Sequence, residues 1–386
     1  MATAIKVQYS GIWTLQQVND AIAAKTWTGP WGYLYAIGGN SNGQLGLGNT
    51  TYYSSPKQVG ALTNWKSVAQ LYAGSTLAIQ SNGTLWSWGN NDLGQLGLGN
   101  ATVYSSPKQV GSLTNWSQVS GGSKHSLAVK TDGTLWAWGR GSTYGALGLG
   151  NVTNYSSPKQ VGLLTNWLSV SCGYNSTFAV KTDGTLWSWG DGTSGVLGLG
   201  NTTYYSSPKQ IGALTSWQSV SSSRNNFTGA VKTDGTLWMW GLGSFGVLGQ
   251  GNTTSYSSPK QVGGLSNWSS ISVTHSRASA IAIKTNGTLW GWGLNTSGQL
   301  GLSNFTNYSS PMQVGALTNW LSVATGYRFT MSIKTNKTLW GWGENSTGQL
   351  GTGNTTTVSS PVQIGSLTSW LAVSGSIRAT IAILQA

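Results

Sequence analysis

Few side chains in this sequence of 386 residues suit acid–base, nucleophilic or metal chemistry. The acids are Asp20, Asp92, Asp132, Asp183, Asp191, Asp234 and Glu344, and the histidines are His125 and His275. Asp132, Asp183 and Asp234 each sit in a Thr-Asp-Gly-Thr tetrapeptide, and Asn82, Asn286 and Asn336 hold the matching positions elsewhere. Turn geometry accounts for them, because Asp and Asn bond their own backbone two residues on. No recurring carboxylate pair is left for general acid–base work. Neither histidine has a recurring acidic or nucleophilic companion, so no Ser-His-Asp arrangement emerges, and His125 reads as a loop histidine bonded to backbone. The single Cys172 excludes a disulfide within the chain and, with two histidines, a His/Cys zinc cluster. Gly241-Leu242-Gly243-Ser244-Phe245-Gly246 has the glycine spacing of a dinucleotide loop but opens no helix. The expectation is a non-enzymatic protein with no metal and no cofactor.

Cations are more informative. There are 20 Lys+Arg against 7 Asp+Glu, a net charge of +13, which favours acidic partners. Lys130, Lys181, Lys232, Lys284 and Lys334 end one kind of segment, while Lys57, Lys108, Lys159, Lys209 and Lys260 follow prolines. Both series are periodic and read as solvated edge residues that discourage sheet-to-sheet pairing. A second set has other spacing. Lys124, Arg224, Arg277, Arg328 and Arg378 fall in one class of loop, and Arg140 falls in another. If both loop classes emerge on one face, they form a ring of positive charge, interrupted at Ala73 and Asn175. Such a ring suits a phosphate-bearing glycan, lipopolysaccharide or an acidic protein. The alternative is that each arginine packs over a neighbouring tryptophan or caps carbonyls near the central channel. Nucleic acid is disfavoured, because no basic patch with interleaved exposed aromatics is visible.

The elements that must position these residues repeat along the chain. Ser-Ser-Pro recurs with its proline at 56, 107, 158, 208, 259, 311 and 361, and a tryptophan follows nine residues after each. Leu-Trp-x-Trp-Gly occurs six times, from Trp86/Trp88 to Trp340/Trp342. Within a unit, Ser126–Lys130 alternates, Thr131-Asp132-Gly133-Thr134 is a hairpin turn, and Leu135–Gly139 is the partner strand. Its two indoles are two residues apart and share a face. A glycine-rich loop leads to a proline-bearing edge strand, and a fourth strand starts at Trp167. One such sheet cannot bury two tryptophan-bearing faces alone. Radial stacking can, which predicts an all-β, seven-bladed β-propeller of four-stranded antiparallel blades. The seventh Leu-Trp-x-Trp-Gly is missing after Ala379–Leu384, and Gly32–Gly38 stands in for it. The last blade should therefore take strands from both termini, leaving no open edge. Gly 56, Trp 22 and only 7% charged residues agree, and exclude coiled coils and helical bundles. No run approaches the roughly 18 apolar residues of a membrane span, so no membrane insertion is expected.

Trp88-Gly89-Asn90-Asn91-Asp92-Leu93-Gly94-Gln95-Leu96-Gly97, repeated as Trp292 to Gly301 and Trp342 to Gly351, resembles the regulator of chromosome condensation repeat. Gly122-Ser123-Lys124-His125-Ser126 matches that family's Gly-x-x-His-Ser/Thr element. The resemblance covers residues 31–386 and implies the same propeller. That fold carries exchange factors, ligase-associated domains and many binding modules, so it is weak evidence for any one activity.

Residues 1–30 lie outside the repeat and form a leader. Ile5, Val7 and Tyr9 alternate, and Leu15, Val18 and Ile22 fall on one helical face after Thr14. The segment is either a cap on one end of the propeller or an attachment arm carried by Tyr9, Ile12, Trp13, Leu15, Val18, Ile22 and Trp27. The stretch from Tyr9 to Gln16 is similar to leaders on structural proteins of marine tailed bacteriophages. That resemblance implies a virion-surface protein, assembled in the host cytoplasm and held to capsid or tail proteins. Its propeller would face a host surface, as part of a tail fibre or capsid decoration. The absence of a secretory signal fits release by lysis. The other reading is a cellular regulatory propeller, such as a guanine-nucleotide exchange factor for a small GTPase.

Overall fold

The computed structural model describes residues 31–274 and 278–386. The proposed arm, residues 1–30, and Arg277 lie outside the described residues. Among the described residues, 28 strands form five four-stranded sheets and one eight-stranded sheet. A single bridge, Gly32 opposite Trp65, joins two blades into that larger sheet, so five blades plus two make seven. In blade 2 the strands are Trp116–Gly121, His125–Lys130, Leu135–Gly139 and Tyr155–Gln160, running from the central channel to the rim. The proline-bearing strand has one neighbour only, as a residue without an N–H requires. The closing blade combines Trp370–Gly375 and Ala379–Gln385 with Gly32–Gly38 and Tyr53–Gln58.

Tryptophan packing explains the repeat. Nine of the twelve largest fully buried side chains are tryptophans. The inner-strand Trp116 meets the third-strand Trp136 and Trp138 edge-on, with ring centroids 6.1 and 6.2 Å away. Trp138 also donates from Nε1 to the carbonyl of Gln95 in the preceding blade, at 2.9 Å. Gly97 makes that approach possible: its φ is +75°, and a Cβ there would lie 2.8 Å from the indole nitrogen. The Gly-Gln-Leu-Gly segment is thus the joint between blades.

The hairpin aspartates do what turn chemistry predicts. Asp183 Oδ1 accepts from Thr185 N at 2.9 Å and from its hydroxyl at 2.6 Å, and Trp187 Nε1 donates to that hydroxyl at 2.9 Å. The threonine hydroxyl and N–H hold the Asp183 carboxyl below the usual carboxylate range.

The periodic lysines require a correction. Lys130, Lys181, Lys232, Lys284 and Lys334 are buried, not solvated. Lys181 Nζ lies 4.8 Å from the Trp167 ring centroid and 3.9 Å from that of Trp187, and the other four sit likewise between two indoles. The lysine packs against two tryptophans that also touch each other edge-on, and its ammonium lies near both rings. The post-proline lysines remain exposed on the rim, with Lys57 Nζ 5.6 Å from the Tyr53 ring centroid.

Candidate binding face

Two loop classes meet on one face of the propeller. The residue before the second strand and the residue after the third strand are bonded through their backbones in each blade. Examples are Arg140 N to Lys124 O at 2.8 Å and Glu344 N to Arg328 O at 2.9 Å. Blade antiparallelism forces this: both connections leave the same end of paired strands. Lys124, Arg140, Arg224, Arg328 and Arg378 lie in these connections, at the same end of their blades.

Not all of this charge is free, and the gaps at Ala73 and Asn175 remain. Lys124 is paired with Asp92 of the preceding blade, and Arg328 Nη1 lies 3.8 Å from Glu344 Oε2. Arg224 stacks on Tyr174, with its guanidinium carbon 4.7 Å from the ring centroid. Arg328 lies over Tyr327 at 5.2 Å. Arg224 and Arg328 thus pack on tyrosine, not on tryptophan. Arg140, Arg224 and Arg378 have no carboxylate within ion-pair reach among the described residues.

The channel mouth holds residues that the charge pattern did not single out. Tyr72, Tyr174 and Tyr327 each stand seven residues after an inner-strand tryptophan. Tyr72 crosses the channel, its hydroxyl 3.4 Å from the carbonyls of Cys172 and Ser222, and stacks on Tyr174 with centroids 6.5 Å apart. Burial pushes the Tyr72 phenol well above its ordinary pKa. Arg224 occupies the same seven-residue offset, so Tyr72, Tyr174 and Arg224 form one stack across blades 1, 3 and 4. The constant offset was the signal that could have found it.

His125 also departs from expectation: its Nε2 faces the Thr177 hydroxyl of the next blade at 3.2 Å rather than backbone. Burial, with the nearby Arg140 charge, pushes its pKa down to about 4. Cys172 is buried, as expected, and burial pushes its thiol up to about 12. No cluster of three or more His, Cys, Asp or Glu that could hold a metal occurs among the described residues. No helix there is long and apolar enough to cross a membrane.

Seven four-stranded blades around a channel, with a core built from tryptophan, define a repeat propeller. The chain belongs to the Regulator of chromosome condensation (RCC1) repeat family, whose repeat matches residues 32–79, 82–129, 132–180, 183–230, 234–280, 286–333 and 338–383. It is 32% identical over 296 residues to the E3 ubiquitin-protein ligase HERC2 of Mus musculus, covering 74% of this chain and 6% of that protein. It is 31% identical over 292 residues to the Ultraviolet-B receptor UVR8 of Arabidopsis thaliana, covering 74% of this chain and 66% of that one. The chain thus spans a small part of HERC2 and just under two thirds of UVR8. Among solved structures, yeast RCC1 (Prp20) bound to Kap60 superposes with a TM-score of 0.82 at 18% identity, covering 100% of this chain and 96% of that one. Human WBSCR16 superposes with a TM-score of 0.81 at 19% identity, covering 92% and 100%. At such identities the superpositions speak for the fold.

Proposed function

We propose that this chain is a non-enzymatic regulatory propeller that binds an acidic surface of a partner protein through Arg140, Arg224 and Arg378. The observation that carries the reading is the Tyr72–Tyr174–Arg224 stack at the channel mouth. It holds one guanidinium over an aromatic face, and no carboxylate lies within ion-pair reach of it among the described residues. A guanidinium held this way loses less rotamer freedom on binding than a free one. The relatives support a regulatory setting, since a ubiquitin ligase and a light receptor both carry this repeat. Prp20p from Saccharomyces cerevisiae, described for binding Gsp1p and histones, shares the fold. Exchange activity on a small GTPase would be one specific form of the function. The low charge and near-identical loops of this chain favour a binding role over a catalytic face.

The test is affinity capture from the source organism with the wild-type chain and with Arg140→Glu/Arg224→Glu/Arg378→Glu. A salt-sensitive partner retained by the first and lost, at least tenfold, by the second supports the proposal. A partner held equally by both overturns it. Recovery of capsid or tail proteins would give the function a virion setting, and recovery of lipopolysaccharide or a phosphorylated glycan would replace the protein partner.

A further inference from the structure

The hairpin turns between second and third strands differ at one residue. Blades 2, 3 and 4 carry Asp132, Asp183 and Asp234, and blades 1, 5 and 6 carry Asn82, Asn286 and Asn336. Asn82 and Asn286 are exposed, and each is followed by a glycine, at φ +79° and +74°. A glycine has no side chain to shield its amide nitrogen from the preceding carboxamide. In both turns a threonine donates twice to the carboxamide oxygen. Thr288 N and Oγ1 reach Asn286 Oδ1 at 3.2 and 2.7 Å, and Thr84 N and Oγ1 reach Asn82 Oδ1 at 3.0 and 2.8 Å. Trp290 Nε1 donates to Thr288 Oγ1 at 2.9 Å, which leaves the hydroxyl hydrogen for Asn286. The Thr84 hydroxyl has a second acceptor, Gln80 Oε1 at 3.1 Å. Donors placed in this way stabilise the negative charge that forms on Oδ1 when the carboxamide carbon is attacked.

Two other asparagines separate the requirements. Asn336 has the same hydroxyl donor, Thr338 Oγ1 at 2.7 Å, but Lys337 follows it. Asn42 precedes Gly43, but that glycine is buried and Gln44 stands where the threonine would be. The brake is also visible: Gly287 N donates to Lys284 O at 2.9 Å, and this bond must open before the nitrogen can attack. It is one turn bond at an exposed hairpin tip, the kind that opens locally while the sheet stays formed. The turn is already built for the aspartate that results. Asp132 Oδ1 accepts from Thr134 N at 2.9 Å and from its hydroxyl at 2.6 Å, as Asp183 does from Thr185. A neighbouring lysine gains as well. Burial lowers the pKa of Lys130, Lys181 and Lys232, and the aspartate two residues on pulls each partly back up. At Lys284 burial acts alone, and an acid at 286 would supply the counter-charge.

We propose that Asn286, and more slowly Asn82, are self-modification sites that convert to aspartate in the folded protein, with Thr288 and Thr84 as the oxyanion donors. Gly287 N gives up its proton and bonds Asn286 Cγ, the Cγ–Nδ2 bond breaks, and ammonia leaves with that proton. Water then opens the cyclic imide between Cγ and the glycine nitrogen, which restores the main chain and leaves a carboxylate at 286. Opening at the main-chain carbonyl instead gives isoaspartate, whose extra backbone carbon the native turn does not contain. The test is peptide mapping of the full chain held folded at pH 8 and 37 °C. The one-dalton gain is read at 42, 82, 286 and 336, with aspartate and isoaspartate scored separately. Conversion at 286 should outrun that at 82, and both should outrun 42 and 336 at least fivefold. Thr288→Val should slow conversion at 286 at least threefold and leave 82 unchanged, and Thr288→Ser should restore it. Equal rates at 42 and 286 overturn the proposal, as does undiminished conversion at 286 in Thr288→Val. A product that is isoaspartate alone, or conversion seen only in urea-unfolded chain, overturns it too. Independently, Asn286→Asp should unfold at a urea midpoint no lower than that of the wild type, and a lower midpoint shows that the turn rejects the product. None of these outcomes touches the arginine face, so this proposal and the proposed function fail separately.

Discussion

At the scale of single residues, burial decides which titratable groups matter. His125 is buried against Thr177, and its folded pKa, about 4, lies below the 6.5 of an unperturbed histidine. The unfolded chain therefore binds the proton first. Stability is full above pH 6.5, falls as the pH drops towards about 4, and levels off below that, by about 3 kcal/mol at most. The depressed carboxyls, such as Asp183, act lower: their contribution is kept above the ordinary carboxylate pKa of 3.8 and lost only beneath it. Urea midpoints should thus drop between pH 7 and pH 4.5 in the wild type and drop less in His125→Gln. Equal slopes would show that His125 is not the group responsible. The histidine was visible in the sequence, but its partner was not, because Thr177 reaches it only across a blade boundary.

At the scale of elements, two devices hold the blades. The first is the lysine between indoles. Lys181→Met keeps the apolar stem and removes the cation, and should cost about 1–2 kcal/mol, read from thermal or chemical unfolding. Combined with Lys334→Met, three blades away, the costs should add. The second device replaces a missing sheet ladder. Inner strands of adjacent blades do not pair, and serine hydroxyls accept from the neighbour's backbone instead. Ser171 Oγ bonds Ser222 N and Ser221 Oγ bonds Val273 N, both at 3.2 Å, and Ser120, Ser272 and Ser374 act alike. Ala69 and Ala324 hold this position in the two remaining blades. Ser171→Ala leaves a buried N–H without its acceptor and should lower the unfolding free energy by about 1–2 kcal/mol. An unchanged denaturant midpoint would remove the hydroxyl from the account. The strands and hairpin turns behind these devices were legible from alternation and Asp-Gly turns. The lysine's burial was not, since period-2 patterning marks which side of a strand a residue is on, not what lies against it.

At the scale of the whole molecule, closure rests on two strands from each end of the repeat region. Ala386 N already contacts Trp31 O at 3.3 Å, where the other blades place a hairpin turn. A circular permutant that joins residue 386 to residue 32 through a short Gly-Asn linker, and opens the chain between Gly162 and Leu163, should fold with unchanged far-ultraviolet circular dichroism. Leu163 is 91% exposed, so the new ends disturb no core. An unfolded or aggregated permutant would mean that the native order of blade formation matters. The sequence by itself determined the blade, the number of blades and the shared last blade. Each follows from local spacing: tryptophans nine residues after proline, turns between alternating segments, and one missing Leu-Trp-x-Trp-Gly. Only the tertiary structure decided which cations are free. Lys124 and Asp92 are 32 positions apart, Arg224 and Tyr174 are 50 apart, and Tyr72 reaches carbonyls 100 and 150 positions away. Contacts between side chains of different blades depend on how the sheets are turned about the channel axis, and no local pattern encodes that angle.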